Sequence, residues 1–401
     1  MQTKHSLSGG YIMPHYKKIS PICIKAALCV TVVLLCVQLV LSPVTAIDSA
    51  ACSMCTVSAE SAILIDADSG NILYSKNADR AMPMASTTKI MTALVAIERT
   101  DINKKVTITE ESVGIEGSSI YLVAGETLTL EELLYAMMLE SANDAATAIA
   151  IAVAGDVDSF ADMMNQKASD IGLENTHFTN PHGLDDPMHY TTASELAIIA
   201  AEAMKNEDFR TIVSTHKMII PQNDGEGARL LVNHNKMLDT YDGSIGIKTG
   251  YTKKSGRCLV SAAERDGVRL IAVTLNAPDD WQDHRDMLDL GFDCYESVTL
   301  CNDGEFKYIQ HVISGDLDNC VLTNAEEIKV TLPRIRGEIE YTVELFRFSY
   351  APILKGDVIG YLVYTLDGQE IAREQLCATH SVNEMRYKKS IWDKIGDALA
   401  G

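Results

Sequence analysis

Basic side chains are scarce: 34 Lys and Arg stand against 55 Asp and Glu, which leaves the 401-residue chain at a net charge of −21. Phosphate-backbone binding needs a basic face, so nucleic acid is excluded as a partner. No segment recurs at a period of roughly 20–50 residues, which argues against a solenoid or a propeller. His177, His182, His189, His216, His234, His284, His311 and His380 show no H-E-x-x-H spacing. A metallopeptidase reading therefore has no support, and neither metal nor cofactor is expected. Of the ten cysteines, Cys23, Cys29 and Cys36 lie in an N-terminal apolar region. Cys52, Cys55, Cys258, Cys294, Cys301, Cys320 and Cys377 remain, an odd number that rules out complete disulfide pairing in a monomer. At 47% hydrophobic and 22% charged, the chain is too apolar to be disordered, and its length suits two folded domains.

The N-terminus carries Lys4, Lys17, Lys18 and Lys25 with no acid, then the run AALCVTVVLLCVQLVL at 26–41, then Ser42-Pro43-Val44-Thr45-Ala46. Basic start, apolar middle and small-residue exit predict an export signal over 1–46, cut after Ala46. The alternative is an uncleaved anchor, but the run is short for a span and Pro43 breaks it. Export delivers the rest outside the cytoplasmic membrane, and losing four lysines takes its charge to −21 − 4 = −25. Residues 47–58 read as a flexible tail containing Cys52 and Cys55. At the other end, 386–401 places Ile391, Ile395 and Leu399 on one helical stripe beside Trp392, with Lys388, Lys389 and Lys394 around it. That pattern suits a short amphipathic helix on a membrane surface, or a terminal helix packed on its own domain.

Between the ends, 59–76 reads as a hairpin, and Ser86 to about Glu98 as a buried helix with Ile90, Leu94 and Ile97 on one face. Thr129-Leu130-Glu131-Glu132 is a capping box opening a second helix, and a polar break separates it from ATAIAIAVAG, stopped by Gly155. Further helices are expected near Ser159 and at a second capping box, Thr192-Ala193-Ser194-Glu195. Two strands run from 256, and a last helix near 281–290 leads into Gly291-Phe292. Residues 59–296 thus form an α+β unit. Over 297–385 the helical pattern gives way to alternating strands and Asp-Gly turns, a small all-β domain.

Three motifs carry chemistry. Ser86-Thr87-Thr88-Lys89 sets a hydroxyl and an amine three residues apart on one helix face. A serine hydroxyl is a weak nucleophile until a base takes its proton, and a lysine serves if burial and nearby positive charge lower its pKa. Ser141-Ala142-Asn143 falls at the polar break, where a loop could present both side chains to a cleft; helix capping is the plain alternative. Lys248-Thr249-Gly250 offers a cation, a hydroxyl and close backbone approach for a carboxylate, or else is a surface turn.

In this order and spacing the three motifs resemble those of the low-molecular-weight penicillin-binding proteins, the serine-type D-alanyl-D-alanine carboxypeptidases. The resemblance extends to Ser61–Asp66, Asn71–Tyr74, Asn180-Pro181-His182-Gly183-Leu184, Tyr241-Asp242-Gly243, Ile247–Thr252, Gly256–Ala262 and Leu288–Phe292. It is strong over 59–295 and looser in the β-rich tail. Its middle motif has Ala142 where the family often has Gly or Asp. No Glu-x-x-x-Asn loop of the class A β-lactamase kind is present; His182-Gly183-Leu184 occupies that region, with His182 placed to shape the cleft.

The resemblance implies a β-lactamase/transpeptidase-like domain, an antiparallel sheet flanked by helices, followed by the β domain. It implies that Ser86 attacks the carbonyl between the last two D-alanines of a peptidoglycan stem peptide, with Lys89 as base. Ser141 would relay a proton to the leaving amine, Asn143 would hold the substrate amide, and Lys248 and Thr249 would bind the terminal carboxylate. Gly250 completes that substrate-binding strand, and the N–H groups of Ser86 and Tyr251 would form the oxyanion hole. β-Lactam antibiotics would acylate the same serine. A slow β-lactamase and a catalytically idle envelope protein are the competing readings, and four intact polar groups argue against the idle one.

Overall fold

The computed structural model describes residues 55–222, 227–345 and 349–385. The expected export signal, Cys52 and the expected C-terminal amphipathic segment lie outside them. Among the described residues no helix is long and apolar enough to cross a membrane.

Strands β1 (Ser61–Asp66) and β2 (Ile72–Lys76) form the expected hairpin, and β1 pairs on its other side with β9 (Val268–Leu275). With β8 (Gly256–Arg265) and β7 (Ser244–Thr252) they make an antiparallel sheet in the order β2-β1-β9-β8-β7. β1 is buried at every position because helices cover both faces of the sheet. Ile63 and Ile65 face one core with Ile271 and Val273, whereas Ala62 and Leu64 face a second with Leu270 and Ala272. The period of two along each strand assigns neighbouring residues to opposite layers.

On the first face lie α1 (Lys89–Arg99), α2 (Leu130–Leu139), α3 (Asn143–Ala154), α4 (Val157–Asp170), α5 (Ala193–Met204) and α6 (Glu207–Ser214). The Thr129 capping box is complete, with the hydroxyl on Glu132 N and the Glu132 carboxylate on Thr129 N. The second box is only half formed. Thr192 caps Glu195 N, but the Glu195 carboxylate turns away to Glu174 N, Asn175 N and the Thr176 hydroxyl. Three donors from one loop converge on the carboxylate, and together they outweigh the single local N–H. A short helix, α7 (Met237–Thr240), precedes β7, and two small hairpins flank the helical layer: β3 (Lys105–Thr107) with β4 (Thr127–Thr129), and β5 (Lys217–Gln222) with β6 (Gly227–Val232).

On the second face α8 (Asp280–Cys294) buries Met287, Leu288 and Phe292. Gly291-Phe292 sits inside this helix and does not end it. A Cβ on Gly291 would lie 2.4 Å from Leu270 Cδ1, so glycine lets the helix seat closely on the sheet. The Asp283 carboxylate of α8 accepts from Ser58 N and Oγ and from Ala59 N. The tail expected over 47–58 is therefore pinned at its C-terminal end.

From Tyr295 to the last described residue the regular elements are all strands. β10 (Tyr295–Cys301) pairs with β13 (Ile328–Pro333), and a six-stranded sheet runs β14-β16-β17-β12-β11-β15. Those strands are β11 (Tyr308–Ile313), β12 (Asn319–Asn324), β14 (Ile339–Leu345), β15 (Ser349–Tyr350), β16 (Val358–Leu366) and β17 (Gln369–Ala378). Leu322, Leu362, Leu376 and Val382 form a core separate from the other two. Cys55, Cys258, Cys301, Cys320 and Cys377 are free thiols, and Cys294 is disulfide-bonded.

Candidate active site

Ser86 lies in a 3-10 turn, Ala85–Thr88, that runs directly into α1, so Lys89 is the first residue of the α-helix. This differs from the continuous α-helix expected from Ser86. The tighter winding helps the pair: at three residues per turn, positions i and i+3 eclipse. Lys89 Nζ lies 3.1 Å from Ser86 Oγ, 2.7 Å from Asn143 Oδ1 and 2.6 Å from the His182 carbonyl oxygen. Its side chain is wholly buried. Burial, then the nearby Lys248 charge, holds its pKa well below the ordinary lysine value, against an opposing pull from Asp144. A neutral amine has two N–H groups and one lone pair. Directed at Asn143 and His182, the two N–H groups leave the lone pair for the Ser86 proton.

Asn143 opens α3, yet neither it nor Ser141 caps the helix. The N-cap is Ala142, with no side-chain bond. Asn143 Nδ2 instead donates to the Glu116 carbonyl at 2.6 Å, which orients Oδ1 toward Lys89. The loop supplying that carbonyl is tied to α3 by Asp144, which accepts from Ser119 Oγ, Ile120 N and Leu122 N. Ser141 sits in the break between α2 and α3 with φ +59°, a left-handed conformation, and has no hydrogen-bond partner among the described residues. Its hydroxyl is free for a ligand.

Lys248-Thr249-Gly250 is not a turn. It lies in β7, the edge strand, paired as Lys248 with Val260 and Gly250 with Cys258. A Cβ on Gly250 would lie 3.1 Å from Ser86 N and 3.2 Å from Met84 O, so only glycine brings this strand against the serine turn without a shift. Lys248 is 2% exposed and donates to the Thr249 carbonyl at 3.1 Å. Burial pushes its pKa down to about 7, with Glu140 pulling the other way.

A cleft of about 410 Å³ opens onto Ser86, Ser141, Thr249, Gly250 and Tyr251. Lys89, Asn143 and Lys248 lie beneath these, and Tyr251 is exposed at the rim. The sequence reading missed Ser118, His234, Lys236, Arg257, Asp280 and Trp281, which also line it. The last three form one unit, with Arg257 Nε 2.9 Å from Asp280 Oδ1 and its guanidinium 6.0 Å from the Trp281 ring centre. No local spacing signals this unit, because Arg257 comes from β8 and Asp280-Trp281 from the start of α8. His182, expected to shape the cleft, contributes its backbone carbonyl to Lys89; burial pushes its ring to about 3, so the ring is neutral.

The buried Lys248 charge has a stability consequence. With a folded pKa near 7 and an unfolded value of 10.5, the unfolded chain binds the extra proton between those limits. The penalty is fully present below about pH 7 and fades as pH rises toward 10.5. Lys248→Met should therefore stabilise the protein by on the order of 1–3 kcal/mol at pH 6. Denaturant melts at pH 6 and pH 10 check this; an equal gain at both would refute it.

The five-stranded antiparallel sheet with helices on both faces, followed by an all-β domain, is a penicillin-binding-protein architecture. The D-alanyl-D-alanine carboxypeptidase family profile matches residues 47–279, and that of the penicillin-binding protein 5 C-terminal domain matches 295–384. D-alanyl-D-alanine carboxypeptidase DacF of Bacillus subtilis is 32% identical over 84% of this chain and 90% of its own. DacC of Escherichia coli is 30% identical over 84% and 88%. The crystal structure of penicillin binding protein 5 from Haemophilus influenzae superposes with a TM-score of 0.71 at 31% identity, covering 83% of this chain and 99% of that one. The chain belongs to the D-alanyl-D-alanine carboxypeptidase family.

Proposed function

We propose that this protein is a serine D,D-carboxypeptidase that removes the terminal D-alanine from peptidoglycan stem peptides through an acyl-enzyme on Ser86. The observation that carries the reading is the Lys89 amine, fully buried and 3.1 Å from Ser86 Oγ, with two further acceptors for its N–H groups. Lys89 takes the Ser86 proton as Oγ attacks the penultimate D-alanine carbonyl. The resulting oxyanion lies between the N–H groups of Ser86 and Tyr251. Ser141 relays that proton from Lys89 to the departing amine, D-alanine leaves, and water then hydrolyses the ester. Asn143 holds the substrate amide, while Lys248 and Thr249 take the terminal carboxylate along β7, beside Gly250. β-Lactams acylate Ser86 in the same way, and their stable adducts report slow deacylation.

Release of D-alanine from a peptide ending in D-Ala-D-Ala tests the activity. Benzylpenicillin with intact-mass spectrometry tests the acyl-enzyme. One stable adduct supports the carboxypeptidase; penicillin consumed without an adduct points to a β-lactamase; penicillin untouched points to an idle binding protein. The basic, apolar and small-residue order of 1–46 supports export, with the enzyme working at the outer membrane face. N-terminal sequencing of the exported protein should then begin at Ile47, and an intact Met1 would overturn cleavage.

A further inference from the structure

Behind the serine turn, away from the cleft, lies a hydrogen-bonded chain that the proposed chemistry does not use. His189 is 3% exposed and packs edge-on against Phe178. Its Nδ1 lies 3.0 Å from Thr179 N, and a backbone N–H can only donate, so Nδ1 is the acceptor and the ring proton sits on Nε2. Nε2 therefore donates to Thr88 Oγ1 at 2.7 Å. Thr88 in turn donates to the Ala85 carbonyl at 2.8 Å. Every donor in this chain points one way, toward the residue before Ser86.

Ala85 needs such a restraint. Its φ is +49°, a left-handed conformation that costs a residue with a Cβ. The same carbonyl is walled in by Gly183, where a Cβ would lie 2.0 Å from Ala85 O. Asn180 shapes that wall by accepting from Gly183 N at 2.7 Å. The Ala85 peptide sets where Ser86 N and Oγ point, and Gly250 packs against both residues.

We infer that His189 is a positioning residue for acyl transfer, acting through Thr88 on the Ala85 carbonyl to hold the Ser86 turn in its reactive geometry. The inference rests on Ser86 being the acylated residue. Burial keeps the ring neutral above a pKa pushed down to about 4, which leaves Nδ1 as the acceptor that Thr179 N requires. Misplacing a reacting group by about 1 Å is enough to slow a reaction roughly 100-fold. Loss of the relay should act on the acylation step and not on the first encounter with the ligand.

The test is stopped-flow acylation of the full chain by a fluorescent penicillin, with Tm measured for every variant. His189→Ala and Thr88→Val should each slow acylation by about 10–100-fold, with non-covalent affinity within about threefold of the parent. The double variant should be no slower than the worse single, because both break one relay. His189→Gln, which keeps an acceptor and a donor, should recover most of the rate. Singles within about twofold of the parent, or effects that multiply in the double, would overturn the inference. If His189→Ala does not fold, the near-isosteric Thr88→Val and His189→Gln decide the question. Peptide mapping separates the two levels: no adduct on Ser86 in the parent protein means the carboxypeptidase reading has failed, whereas an adduct formed equally fast in all variants means only the relay has.

Discussion

Ser86→Ala should abolish D-alanine release, lowering kcat by about 10⁴–10⁶-fold, and should leave no mass shift with benzylpenicillin. An alanine has no atom that can form the ester, so both readouts must fall together. The substitution also removes one contact from Lys89, which keeps Asn143 Oδ1 and the His182 carbonyl as partners. The fold should persist, and non-covalent substrate binding should stay close to the parent, because the proposed carboxylate site on β7 is untouched. A penicillin adduct on Ser86→Ala at the parent rate would show that another nucleophile carries the reaction.

Lys89→Ala should be nearly as damaging, slowing acylation by about 10³–10⁴-fold through loss of the base. The pH profile distinguishes that loss from a packing effect. As the proposed base, Lys89 must be neutral to accept a proton, so kcat/KM should fall on the acid side as Lys89 becomes protonated. Its pKa is held well below the lysine value, so this limb lies far below pH 10.5. In the proposed carboxylate site Lys248 must be charged, so the alkaline limb should fall as pH passes about 7 in the free enzyme. The two lysines interact, and the limbs belong to the pair. Lys89→Ala should abolish the acid limb and keep the alkaline one. An unchanged bell would remove Lys89 from the base role.

Much of this site was legible in the chain. Ser86 and Lys89 stand at a spacing that brings i and i+3 together on any right-handed helix, whether the turn is α or 3-10. The hairpin at Ser61–Lys76, the Thr129 capping box and the stop at Gly155 follow from alternation and local donors. Where the reading went astray, distant partners had the deciding vote. Lys248-Thr249-Gly250 was compatible with a turn because 244–252 lacks strong alternation; pairing with β8 makes it a strand. Glu195 left its capping box for loop donors at 174–176. The β5–β6 hairpin and α6 were not anticipated, since Pro221 lies within β5 and α6 has only eight residues.

The sequence by itself determined which chemical groups the enzyme owns and the local windings that carry them, because periodicity and capping act over a few residues. Only the tertiary structure decided that those groups meet. The acceptors around Lys89 come from positions 86, 143 and 182, and the depressed pKa comes from complete burial beside Lys248. Desolvation depends on everything packed around a charge, and the chain folds those neighbours in from places the local pattern does not reach.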